Sequence, residues 1–157
     1  MSLYEDLLIK HSDIPIGDAI SLKGNFKGLY DNGVILIDKN LSDTEKAEIL
    51  FEELAHHKLT HGNILDQSIF NNRKFENYAK RYAFENALPL NKIIKAFQYG
   101  VSNLHEFAEY VQLSEKYVCT VLQHYKSKFG LSTCYNGYLI RFEPLRVFKY
   151  KNLNEGE

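Results

Sequence analysis

Cysteine is scarce in this 157-residue sequence: only Cys119 and Cys134 occur. Their separation makes neither a disulfide framework nor a CxxC metal knuckle. The expectation is a pair of buried, reduced thiols in a cytoplasmic protein. Proline is equally thin, with Pro15, Pro89 and Pro144 alone, so no Pro-rich linker divides the chain. No basic excess exists either: 19 Lys and Arg face 20 Asp and Glu, for a net charge of -1. A chain that binds nucleic acid mainly through phosphates carries such an excess, which argues against that role here. No apolar run approaches the ~18 residues that span a bilayer. The opening MSLYEDLLIKH places acids inside its apolar stretch and lacks a basic start, so it does not read as a signal peptide.

What is present is an ordinary globular mixture, 45% hydrophobic and 25% charged. It suffices for one domain, or one domain with a small appendage. Leu3, Leu7 and Leu8 predict a short first helix. Lys27-Gly28-Leu29-Tyr30 and Val34-Ile35-Leu36-Ile37 flank Asp31-Asn32-Gly33, and Asn-Gly between two β-prone runs predicts a hairpin. Ser42-Asp43-Thr44-Glu45 is a capping box. It opens a helix expected to reach about Thr60 and to stop at Gly62. Further helices are expected over about Asn72 to Leu88, ended by Pro89, and over Lys92 to Gln98, stopped by Gly100. Asn103 should cap Leu104 to Val111, and Ser114 should cap Glu115 to Lys128. The tail from Gly137 to Tyr150 predicts two short strands. The sum is α+β: a small antiparallel sheet on a helical body, then a C-terminal helical unit and a hairpin. The expected division is 1–90, 91–130 and 131–157 within one compact unit.

The segment Ile49-Leu50-Phe51-Glu52-Glu53-Leu54-Ala55-His56-His57 carries the chemistry. Residues four apart on a helix differ by about 40° around its axis, so Glu52 and His56 share a face. Ile49 and Leu59 flank them, and a Glu and a His in apolar surroundings are costly unless paired or bound to a metal. The pattern is that of H-E-x-x-H, two ligands at i and i+4 with a Glu beside the first as general base, but with Glu52 at the first ligand position. Carboxylate oxygen is an acceptable zinc ligand, and the added anionic character admits Mn²⁺ or a similar divalent ion. The same residues also suit a solvated helix face with an i,i+4 ion pair. Glu53 with His57, and His57 with His61, offer other registers; His57 lies near the Leu50 and Leu54 stripe and reads as structural. On the second helix Glu76, Ala79 and Ala83 share a face. The small alanines permit close packing that brings Glu76 toward a facing helix, although Glu76 also suits a first-turn acid favoured by the helix dipole.

Taken together, these segments resemble the ImmA/IrrE family of metallopeptidases, in the compact form found on phages and conjugative elements. The likeness covers nearly the whole chain. It runs through Lys27-Gly28-Leu29-Tyr30, Glu52-Glu53-Leu54-Ala55-His56-His57 with Thr60 and Gly62-Asn63-Ile64, Asn71-Asn72-Arg73-Lys74, Glu76-x-x-Ala79-x-x-Tyr82-Ala83, and Phe142-Glu143-Pro144-Leu145. The resemblance implies a zincin-like fold and a cytoplasmic zinc endopeptidase whose target is a helix-turn-helix repressor of the same mobile element. Carried over by position, it implies Glu52, His56 and Glu76 as metal ligands and Glu53 as the catalytic base. The family's better-known pattern has His where this chain has Glu52.

Two other functions fit the same residues. One is a non-catalytic protein that sequesters a repressor through a degenerate metal site. The other is a DNA-binding regulator, because Leu104 to Lys128 has the outline of helix-turn-helix. Its would-be recognition helix, however, begins Glu115-Lys116-Tyr117, and its other basic residues, Lys126 and Lys128, come late. Base-reading residues belong near the start of that helix, so a packing or partner-docking unit is the better reading.

Overall fold

The computed structural model describes residues 1–61 and 72–150. The expected stop at Gly62 and the segment Gly62-Asn63-Ile64 lie outside the described residues, as do Asn71 and the side chains of His61 and Asn72. The chain forms two compact units, Met1–Ala87 and a second that begins at Leu88.

The first unit opens with α1 (Leu3–Lys10), capped by Ser2 and Glu5 acting reciprocally. β1 (Ile16–Gly17), β2 (Gly28–Asp31) and β3 (Val34–Ile37) form a sheet in the order β1-β3-β2. The β2–β3 hairpin turns on Asn32 and Gly33, both at positive φ, the conformation that a two-residue type I′ turn requires. The expectation of a purely antiparallel sheet is corrected here, because β1 pairs parallel with β3. Residues 18–27 carry the chain from the end of β1 to the start of β2 at the opposite edge, leaving the central place to β3. A two-residue strand also leaves no alternation to read in the sequence.

Ile35 and Ile37 are fully buried on one face of β3. The sheet packs on α2 (Asp43–His61). The Ser42 cap forms as expected, with the Glu45 amide donating to Ser42 Oγ at 3.2 Å. On its other flank α2 packs on α3 (Asn72–Ala87). Ala79, Ala83 and Ala87 are buried on α3, and Ala47, Leu50, Ala55 and Leu59 on α2. Small side chains allow the two backbones to approach.

The second unit contains α4 (Leu90–Tyr99), α5 (Leu104–Val111) and α6 (Glu115–Phe129). Pro89 precedes α4 and Gly100 ends it in the left-handed conformation. Asn103 and Ser114 cap α5 and α6 as expected. The tail differs from the expected hairpin. It is a three-stranded antiparallel meander, β4 (Ser132–Tyr135), β5 (Tyr138–Phe142) and β6 (Leu145–Lys149). The extra strand is short, polar and mostly exposed, so it offered no apolar pattern. Both cysteines are exposed, which corrects the expectation of burial. Cys119 falls on the solvent side of α6 and Cys134 on the outer strand β4.

The core of this unit centres on Tyr125, whose ring stacks on Phe142 at a centroid separation of 5.6 Å. Its hydroxyl donates to the Leu88 carbonyl at 2.8 Å in a buried setting. Tyr125→Phe leaves that carbonyl without this donor. It should lower unfolding free energy by about 1–2 kcal/mol, read from urea denaturation. An unchanged midpoint would show that the bond contributes nothing net.

Candidate metal centre

The site grows from the long helix α2. Its capped start fixes the rotation of every later residue, so Glu52, Glu53 and His56 point in set directions. Glu52 and His56 face α3, and Glu53 faces β2. The His56 side chain is 17% exposed, and its Nε2 lies 3.2 Å from Glu76 Oε2 on α3. The Phe75 ring lies against the His56 ring at a centroid separation of 5.5 Å. The shared face of Glu76 with Ala79 and Ala83 makes this approach possible, because the alanines are buried in the helix contact.

Glu53 meets the outer strand of the sheet. A Cβ placed on Gly28 would stand 3.1 Å from Glu53 Oε1 and 2.4 Å from Ile49 Cγ2. Only glycine permits β2 to lie this close to α2. Burial first, then the Glu52 and Glu76 carboxylates, push the Glu53 carboxyl up to about 7. Burial also raises the Glu52 carboxyl; Lys80 opposes that rise and Glu76 adds to it. Three acids and one imidazole therefore share a partly desolvated neighbourhood.

The donor types suit a divalent cation, since imidazole nitrogen and carboxylate oxygen are both zinc ligands. A cation here would also favour the ionised carboxylates that burial now opposes. His56 and Glu76 are brought together as a pair. Glu52 feels Glu76 electrostatically, with Lys80 as a competing cation, but is not gathered into the pair. Among the described residues no group of three or more His, Cys, Asp or Glu is arranged to hold a metal.

Two residues join the site that the sequence did not single out as functional. The Tyr30 hydroxyl lies 3.2 Å from His57 Nδ1 and 3.3 Å from Thr60 Oγ1. Thr60 Oγ1 also bonds the His56 carbonyl at 2.8 Å. These contacts tie the end of α2 to β2. Tyr30 and Thr60 both stood in the segments quoted above, but their meeting is tertiary and no spacing announces it.

Residues 11–123 match the IrrE N-terminal-like domain of peptidase family M78. That stretch is well over half of the chain. The chain belongs to peptidase family M78. No curated protein and no solved structure matches it significantly. M78 is a family of metallopeptidases, which points to a hydrolase with a metal cofactor. In this M78 protein the matched stretch includes β2, α2 and α3, the elements that carry the centre. No helix among the described residues is long and apolar enough to cross a membrane.

Proposed function

We propose that this M78 protein is a zinc-dependent endopeptidase of zincin-like fold that cleaves a helix-turn-helix repressor of a phage or mobile element in the cytoplasm. The observation that carries this reading is the His56–Glu76 contact across two helices, beside the half-buried Glu53. The target class rests on the resemblance to ImmA/IrrE proteins. Mn²⁺ or another divalent ion is the alternative to zinc.

His56 and Glu76, with Glu52 as third donor, would hold the ion. When bound, it supplies Lewis-acid polarisation and a more acidic water. Glu53 does the proton work. A carboxylate placed beside the ion can take a proton from water and return it to a leaving amine at the same oxygen. β2 is an outer strand, and its Gly28 backbone lies against Glu53. An extended peptide laid along that edge by main-chain hydrogen bonds would bring its carbonyls close to the Glu53 carboxyl. Tyr30 and Thr60 keep α2 and β2 in register while this happens.

A non-catalytic repressor-binding protein is the second reading, favoured by the lack of a three-donor set among the described residues. Elemental analysis of protein purified without chelator, with a cleavage assay on the candidate repressor, separates the two. One equivalent of zinc and a cut repressor are expected. A metal-free protein that binds the repressor uncut would favour the second reading.

Three substitutions test the ligand set. His56→Ala should abolish zinc retention, whereas His57→Ala should cost stability through the Tyr30 contact. Glu52→His should tighten zinc, measured by competition with a chelating dye, because it restores the family's imidazole. Unchanged or weaker affinity in a folded Glu52→His protein would remove Glu52 from the ligand set.

A further inference from the structure

The first unit also contains a cavity of about 390 Å³ on the far side of α2. Leu54, on its wall, lies about 160° around the helix from His56; His56, Glu53 and Glu76 do not line the cavity, and His57, which does, stands between Tyr30 and that cavity. Its apolar wall is Leu7 from α1, Phe51 and Leu54 from α2, and Tyr82 from α3. Its polar wall is Lys10, His11, His57, Lys58 and Asn86, with Asp13 as the one acid among the described lining residues. Lys10 and Lys58 are exposed and form no ion pair with a described residue. Two lysines against one aspartate leave the lining cationic. The volume falls within the ~300–1,000 Å³ of small-molecule sites, which combine apolar walls with a few polar groups that orient the ligand.

We propose that this cavity binds a small anionic amphiphile. Its apolar body lies against Leu7, Phe51 and Leu54, and its oxyanion head is held by Lys10 and Lys58. The assignment does not depend on peptidase activity. Because Phe51, Leu54 and Lys58 share α2 with Glu53 and His56, the bound ligand stiffens the helix that carries the candidate centre.

Calorimetric titration with octanoate, octyl phosphate and octanol tests this. Octanoate or octyl phosphate should bind saturably at one site, and the tighter of the two identifies the preferred oxyanion. Octanol should bind more weakly. Lys10→Glu and Lys58→Glu should each weaken the anion about tenfold, the effect of one reversed charge near a protein surface, and leave octanol unchanged. Lys10→Gln, a milder change, should weaken it less, and circular dichroism checks that each variant folds. Backbone amide exchange over Phe51–Lys58 should slow with octanoate bound. The assignment is overturned if neither anion saturates, if octanol binds as tightly as both, or if folded charge-reversal variants bind octanoate like the parent.

Discussion

Under the proposed function, Glu53→Gln should keep bound metal and repressor and cleave roughly 10²–10⁴-fold more slowly, the usual contribution of a positioned general base. The amide keeps the shape of the side chain and fills the same space against Gly28. What it loses is the ability to accept a proton. Burial and the Glu52 and Glu76 carboxylates push the parent carboxyl up to about 7 in the metal-free protein, and a bound cation would favour the ionised form that accepts the proton. Single-turnover cleavage of the repressor, with metal content measured on the same sample, gives the comparison. Parent-like cleavage by Glu53→Gln would place the chemistry elsewhere, and the sequestering role would then be the better account.

Gly28→Ala should damage both fold and rate. The added methyl carbon would stand 2.4 Å from Ile49 Cγ2, closer than any relaxed contact allows. Overpacking of this kind costs about 1–3 kcal/mol. Relief requires β2 and α2 to part, and that movement displaces Glu53 from the strand edge. A misplacement near 1 Å can cost about 10²-fold in rate. Ile49→Leu moves the obstructing branch away from Cβ at nearly constant volume, so the double variant should recover much of the lost stability. Urea unfolding and the cleavage assay read the two effects separately. A Gly28→Ala protein as stable as its parent would show that the strand and helix are not in the tight contact described.

The long amphipathic elements were legible because their signals are local. Ser42, Asn103 and Ser114 announce helix starts with side chains that bond their own helices, and each does so in the structure. The small-residue face of α3 likewise indicated a close helix contact. Strand β4 has no periodic signal in the sequence, although Asn136-Gly137 repeats the turn signal of Asn32-Gly33 and adopts nearly the same positive φ values. The strand itself, Ser132-Thr133-Cys134-Tyr135, is mostly exposed and lacks an apolar alternation. The candidate centre divides in the same way. The i,i+4 geometry of Glu52 and His56 follows from the helix alone, whereas Gly28 against Glu53 and Tyr30 against His57 depend on how strand and helix meet. The charge of Lys80 near Glu52 is of this tertiary kind too.

The placement of the two thiols bears on durability. Both cysteines belong to the second unit, and the first, Met1–Ala87, has none. Any ion held between α2 and α3 is therefore bound through oxygen and nitrogen alone. Peroxide and disulfide stress convert thiolates to sulfenic acids and mixed disulfides, and zinc centres built on sulfur lose their ligands in the process. Carboxylate and imidazole donors do not enter that chemistry. Oxidation of the exposed Cys119 and Cys134 would therefore leave the donors of the candidate centre unchanged, and metal occupancy there would be independent of the thiol redox state of the surroundings.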